Sequence, residues 1–274
     1  MLSNFGKILR YIRSRFYSGR VRQTIRNIGL NKILSRPFWQ LVYTLEDTQT
    51  HNINNHSVTF RTDTFTEFMR FRNLVGERSI IKDLLTTIDS NDVFYDIGAN
   101  VGTYTCFAAA ELGSGRTVAF EPEPENADRL QDNLELNSLD AKIIRVALSD
   151  TDGTVDFALT GEEAGEGQHA IATNSDGRTL KVETARGDTI VEKRKLPKPT
   201  VVKIDVEGAE LSVLRGLQET IRESCRLIYV EVHSEKIADF GGDVSDVEKF
   251  LTDAGFELTE MSRRGSEIFF RASK

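Results

Sequence analysis

No run of apolar residues in this sequence approaches the roughly 18 that a membrane-crossing helix needs, so none is expected. Cysteine is nearly absent, with only Cys106 and Cys225. Two are too few for a zinc site built from paired CxxC motifs, and they read as reduced, mostly buried thiols. A secretory signal is not expected, because arginines interrupt every apolar stretch near the start. Acidic residues are missing from positions 1–36, which instead carry Lys7, Arg10, Arg13, Arg15, Arg20, Arg22, Arg26, Lys32 and Arg36. The whole chain has a net charge of −7, so these nine leave about −16 on the remainder. An acidic body repels nucleic-acid backbones. No nucleic-acid partner is expected, and only the basic arm can attract a polyanion.

What remains is an ordinary globular composition. The 274 residues are 39% hydrophobic and 28% charged, enough to bury a large core in one large domain or two small ones. In the arm, residues 1–36, Phe5, Ile8, Leu9, Ile12 and Phe16 share one helical face, and Val21, Ile25 and Ile28 form a second stripe. Three readings stay open for it: packing on its own body or on a second copy in a homo-oligomer, lying on anionic lipid as a peripheral helix, or serving as a targeting or polyanion-binding segment. The localisation read from these features is cytoplasmic, with peripheral membrane contact open.

Residues 37–90 form a mixed lead-in, with a weak strand at Ser57 to Arg61 and a helix at Glu77 to Ile88. From Val93 the pattern becomes regular. Val93–Tyr95, Thr117–Phe120 and Ala141–Leu148 read as strands, separated by helices at Thr103–Leu112 and Pro124–Asn137. That alternation implies a parallel sheet with right-handed crossovers. Residues 149–185 break the rhythm as an antiparallel insertion, with strands at Val155–Leu159 and Thr179–Glu183 around a glycine-rich acidic loop at Gly161–Gly177. Thr200–Asp205 and Leu227–Val232 resume the parallel strands, with a helix at Ala209–Glu223 between them. After a helix at Asp246–Ala254, Phe256–Met261 and Glu267–Phe270 are close enough in sequence to require an antiparallel hairpin. A single regular α/β domain is thus expected over 91–274.

The first parallel strand ends in Asp96-Ile97-Gly98-Ala99-Asn100-Val101-Gly102 and runs into a helix. This places open backbone at the carboxyl edge of a sheet, where ligands of open α/β folds bind, and glycine lets that backbone approach a ligand. Glu121 closes the next strand, 25 residues after Asp96, where a carboxylate suits two ribose hydroxyls. A dinucleotide site would use G-x-G-x-x-G to seat a pyrophosphate on the helix N-terminus. Here the loop is G-A-N-V-G and begins with an Asp, which would repel a pyrophosphate. The same charge would attract the sulfonium and ammonium of S-adenosylmethionine (SAM). The alternatives kept are a nicotinamide-dependent oxidoreductase and a non-catalytic nucleoside-binding scaffold protein.

At these residues the chain resembles the class I SAM-dependent methyltransferases, and more narrowly the FkbM family. The matching stretches are Val93–Thr105, Ala119–Pro122, Asn133–Asn137, Ala147–Asp150 and Val202–Glu210, the last of which reads V-K-I-D-V-E-G-A-E. The resemblance implies an α/β Rossmann-like fold with a seven-stranded, mostly parallel sheet of order 3-2-1-4-5-7-6, strand 7 antiparallel and helices on both faces. It implies SAM as cofactor. Asp96, Gly98, Asn100 and Gly102 would then lie at the methionine end, with Thr103 also on the cofactor, Glu121 on the ribose, and Ala147 and Leu148, with Asp150 nearby, at the adenine. Family members are mostly O-methyltransferases, which implies a hydroxyl acceptor on a small metabolite, sugar or glycan- or lipid-linked compound.

Methyl transfer to a hydroxyl needs alignment and gains from a base. Asp205 ends strand four and is the first candidate, with Glu207 beside it and Glu210 at the following helix start. Glu231 and His233 end strand five, and His233 is the other candidate base. Glu207 and Glu210 read equally as acids favouring a helix N-terminus. No familiar metal-ligand spacing is present, so no metal is assigned. Lys203 shares a face with Asp205 in a strand that should be buried, which calls for a salt bridge to a neighbouring acid. Gln168 and His169, in the glycine-rich loop, are candidates for substrate contact.

Overall fold

The structure is a computed structural model that describes residues 2–16, 23, 30–72, 74, 76–158, 170–171 and 179–274. Two helices, α1 (Leu2–Phe16) and α2 (Leu30–Tyr43), precede an antiparallel hairpin of β1 (Thr48–Ile53) and β2 (His56–Arg61). Then come α3 (Phe65–Phe71), α4 (Arg78–Thr87), β3 (Phe94–Ile97), α5 (Thr103–Leu112), β4 (Thr117–Phe120), α6 (Pro124–Leu136) and β5 (Lys142–Ile144). The chain continues through β6 (Ala147–Ser149), β7 (Gly153–Ala158), β8 (Ala170–Ile171), β9 (Thr179–Arg186) and α7 (Gly187–Lys193). The last part holds β10 (Val201–Ile204), α8 (Glu210–Gly216), α9 (Gln218–Ser224), β11 (Leu227–His233), α10 (Val244–Asp253), β12 (Glu257–Arg264) and β13 (Glu267–Ser273).

The main sheet runs β12-β13-β11-β10-β3-β4-β5. Neighbours from β5 to β11 are parallel, and β13 is antiparallel to both β11 and β12. Counted in the order of the seven strands this is 3-2-1-4-5-7-6 with strand 7 reversed, the class I methyltransferase arrangement. Strands β3, β4, β10 and β11 are buried along their whole length, as a parallel sheet covered on both faces requires. One face packs Tyr95, Ile97, Val202, Ile204, Val230 and Val232 against α8, α9 and α10. The other packs Phe94, Val201, Leu227 and Tyr229 with α4, α5 and the β1–β2 hairpin. On this second face the strands change character toward their carboxyl ends. Phe94, Val201 and Tyr229 give way to Asp96, Lys203 and Glu231, then Asp205 and His233, because residues two apart share a face.

Buried polar bonds fix the lead-in to this frame. Asn133 on α6 accepts the Arg61 N–H at 2.9 Å and donates to the Val101 carbonyl at 2.9 Å. Asn137, one turn on, accepts the Thr59 N–H at 2.8 Å and donates to the Thr59 carbonyl at 2.6 Å. The free edge of β2 is thereby sealed by two side chains. In the arm, the Arg13 guanidinium lies 4.4 Å from the centre of the Phe38 ring, and Arg10 pairs with Glu46 at 3.0 Å, so α1 rests on α2. The expected Val21, Ile25 and Ile28 stripe lies outside the described residues.

The structure corrects several expectations. Ala141–Leu148 is two strands: the chain turns at Arg145–Val146, and β6 pairs in parallel with β9 in a second sheet of order β6-β9-β7-β8. The helix expected over Ala209–Glu223 breaks at Leu217. A Cβ on Gly216 would lie 1.9 Å from the Ser149 carbonyl, so β6 crosses the helix at the one residue that admits it. Helices α2, α3 and α7 and strand β1 had no counterpart in the sequence reading. Of the Gly161–Gly177 loop only β8 is described, and Gln168 and His169 lie outside the described residues.

Candidate active site

A cavity of about 310 Å³ opens at the carboxyl ends of β3, β4, β10 and β11. Its floor is the loop after β3. Gly98 and Asn100 have φ values of +75° and +50°, and a Cβ on Gly98 would stand 1.8 Å from the Asp205 carbonyl oxygen. Only glycine allows the β3 and β10 loops to meet there. The Gly98 and Ala99 N–H groups donate to the Phe120 carbonyl at 3.0 and 3.1 Å. Glu121 accepts the Asn100 N–H at 2.7 Å on Oε2 and the Glu123 N–H at 3.0 Å on Oε1. Burial outweighs these bonds and raises the Glu121 carboxyl to about 7.

Asp96 stands behind this loop. It is fully buried, accepts the Thr105 hydroxyl at 2.6 Å, and lies 3.3 Å from the Lys203 ammonium. The β3–β10 register sets Asp96 directly opposite Lys203. The ammonium also donates to the Gly98 carbonyl at 3.0 Å, sits 3.5 Å from Asp205, and lies 5.1 Å from the centre of the Tyr104 ring. Burial alone would lower the Lys203 pKa, but Asp96 and Asp205 more than reverse this, so the lysine is held firmly charged. The salt bridge expected for Lys203 is therefore a buried hub between the glycine loop and Asp205.

At the other end of the cavity the β10 and β11 termini converge. His233 is buried, with Nδ1 2.8 Å from Glu210 Oε1 and Nε2 3.3 Å from Glu207 and 3.9 Å from Asp205. Burial lowers the imidazole pKa, but the Glu210 hydrogen bond and the Asp205 and Glu207 charges prevail and lift it to about 9. For Asp205, burial acts upward, but Lys203 and His233 bring its pKa below the ordinary carboxylate value. Burial raises Glu207, and raises Glu231 to about 7. Glu207 adopts φ +56°, a conformation rare for a non-glycine residue, and its carboxylate bonds to the Lys236 ammonium. Glu210 is fully buried and also accepts the Gly208 N–H at 2.8 Å, so it locks the Glu207–Gly208 turn and the imidazole together. Ligand atoms of Asp205, Glu207 and His233 lie within 4.8 Å of one another, a spacing that admits a cation. Lys236 and the protonated His233 already neutralise two of the nearby carboxylate charges.

Of the residues singled out from the sequence, Gly98, Asn100, Thr103, Glu121, Ala147, Leu148, Asp205, Glu207 and His233 line this one cavity. Asp96, Gly102 and Asp150 do not. Asp96 holds Lys203, Gly102 (φ +89°) turns the chain into α5, and Asp150 is exposed where β6 has left the main sheet. Sequence reasoning missed Arg70, Glu77, Tyr104, Lys236 and Arg264, which also line it. Arg70 and Glu77 come from the lead-in, and Arg264 from the terminal hairpin. No local pattern marks them.

Residues 96–258 match the family model described as the methyltransferase FkbM domain. The chain is 33% identical over 213 residues to the hexuronic acid methyltransferase AglP of Haloferax volcanii, covering 77% of this chain and 83% of that protein. It is 28% identical to the methyltransferase sdnD of Sordaria araneosa, over 64% of this chain and 77% of that one. It is 27% identical to the 2-O-methyltransferase NoeI of Sinorhizobium fredii, over 72% of this chain and 85% of that one. A family match running from the glycine loop to the terminal hairpin, on a sheet of this order, means that the chain belongs to the FkbM family of methyltransferases.

Proposed function

We propose that the protein uses SAM to methylate a hydroxyl of a small metabolite or sugar. One observation carries the reading: the glycine loop, Glu121 and the Asp205–Glu207–His233 cluster share a single cavity at the carboxyl edge of the sheet. The donor set fits SAM. The Gly98 backbone has no room for a side chain, and the Glu121 carboxylate keeps lone pairs beyond its two N–H bonds for ribose hydroxyls. Gly98, Asn100 and Thr103 would hold the methionine end, and Ala147 and Leu148 would border the adenine. When bound, SAM supplies an electrophilic methyl group on a sulfonium. Asp205 accepts the hydroxyl proton as the oxygen becomes acidic during transfer, and the protonated His233, fixed by Glu210, orients the neighbouring carboxylates. A sugar acceptor accords with the hexuronic acid and 2-O-methyl chemistry named for the relatives. Peripheral contact of the arm with anionic lipid belongs to the same reading. No described helix is long and apolar enough to cross a membrane.

Calorimetric titration should give binding of SAM and none of NAD. Labelled SAM with a sugar-rich metabolite extract should then give a labelled product, identified by mass. NAD binding would restore the oxidoreductase reading. SAM binding without transfer to any hydroxylated acceptor would favour a scaffold.

A further inference from the structure

We infer that Arg70 and Glu77, both from the lead-in, form a zwitterion clamp for the α-carboxylate and α-ammonium of the cofactor's methionine end. The inference rests on the reading of the cavity as a SAM site.

The groups expected from the sequence to take the ammonium are already engaged. Asp96 is fully buried against Thr105 and Lys203, and the Gly98 carbonyl receives the Lys203 ammonium. The cavity wall beside the glycine loop is instead built by α3 and the turn before α4. The Thr64–Glu67 capping box starts α3, and Glu67 pairs with Arg129 of α6 at 2.6 Å, so the helix is pinned with Arg70 in its last turn. The Arg70 guanidinium donates to Asn100 Oδ1 at 2.5 Å and has no carboxylate within 4.0 Å among the described residues. Glu77 is the N-cap residue of α4, yet its side chain makes no capping bond. Its Oε2 is buried and has no hydrogen-bond partner among the described residues.

The cavity wall thus holds a guanidinium and a carboxyl near enough to interact but not paired, and burial outweighs the Arg70 charge and raises the Glu77 pKa above its ordinary value. A buried carboxylate without a partner is costly, and a ligand ammonium offsets that cost, while the spare guanidinium N–H groups offer a bidentate seat for a carboxylate. Arg70 bonds Asn100 of the glycine loop, and Glu77 lines the same cavity within range of the Arg70, Lys203 and Asp205 charges. Their charge order suits a free amino acid end and nothing else in a nucleoside. Both also lie outside the 96–258 family match, so the lead-in completes the cofactor site.

The test is calorimetry on the full chain with three probes: SAM, decarboxylated SAM, which keeps an ammonium, and 5′-methylthioadenosine, which lacks the amino acid. Glu77→Gln should weaken SAM and decarboxylated SAM by about tenfold and leave methylthioadenosine within twofold. Arg70→Met should weaken SAM by about tenfold and leave the other two within twofold. Equal weakening of all three probes would overturn the clamp in favour of a general effect on the loop. Unchanged SAM affinity with a raised KM for the acceptor would overturn it in favour of acceptor recognition. Failure of wild-type protein to bind SAM or methylthioadenosine would remove both the cofactor reading and the clamp. Wild-type binding with unaltered variants removes the clamp alone.

Discussion

His233 carries a proton at neutral pH, and that decides which way the rate responds to pH. Its ordinary value is about 6.5. Burial would lower it, but the Glu210 hydrogen bond and the Asp205 and Glu207 charges hold it at about 9. A group with a raised pKa stays protonated below that value and loses its proton as pH rises through it. If the imidazolium orients the cluster and Asp205 is the base, kcat/KM should fall as pH rises through about 9. If His233 were the base, kcat/KM would rise through the same range, and a pH–rate profile distinguishes the two. Asp205→Asn should lower kcat by about 100-fold to 10,000-fold, the span of general-base contributions, with SAM affinity retained within a few-fold. A large loss of SAM affinity in that variant would move Asp205 from proton transfer to cofactor binding. The same residue-scale picture explains what happened to Asp96. Its spacing marked an acid at the sheet edge, but the strand register set a lysine directly opposite, and the pair closed on itself.

Among the elements, the least obvious support is the pair Asn133 and Asn137. Asn133 on α6 and Asn137 at its C-cap lie one helical turn apart and bond the backbone of β2, doing for that hairpin edge what a further strand would do. Asn133→Ala would leave the Arg61 N–H and the Val101 carbonyl without partners in a fully buried position. The expected loss is about 2–3 kcal/mol, read as a lower denaturation midpoint with an unchanged slope. A loss below about 0.5 kcal/mol would mean that water replaces the asparagine, within the range of ordinary surface substitutions. These residues stand in a stretch that the sequence already marked, yet their task was not legible there, since their partners on β2 lie more than 70 positions away. Strands β3, β4, β10 and β11 were legible because each is a short, mostly apolar run ending at a polar or glycine-rich turn. Helices α3 and α7, of 7 residues each, are too short to establish a period. The break at Leu217 needed knowledge that β6 passes over Gly216, and the cavity walls at Arg70, Glu77 and Arg264 needed the packing of segments that share no motif with the glycine loop.

Across the whole molecule the charge is polarised, with nine basic residues in positions 1–36 and about −16 on the rest. Part of that positive charge is used internally, since Arg10 meets Glu46 and Arg13 lies over Phe38 and Trp39. The outward side of α1 nevertheless presents Ile8 at 51%, Tyr11 at 70% and Ile12 at 45% exposure. An exposed apolar stripe flanked by arginines matches the interface of an anionic bilayer, where apolar burial and charge attraction act together. Full-length protein should therefore float with vesicles containing phosphatidylserine, less with neutral vesicles, and less again at high salt as the attraction is screened. Deleting residues 1–36 would cut through α2, so substitution in the full chain is the cleaner test. Ile8→Glu with Ile12→Glu removes the apolar stripe while leaving Arg10 and Arg13 in their places. Flotation should drop severalfold with no change in SAM affinity, because the cofactor cavity is lined by none of these residues. Equal flotation of the variant and the parent would exclude the apolar face from membrane contact. Absence of flotation by the parent would remove the membrane reading and leave α1 packed on its own chain or on a second copy.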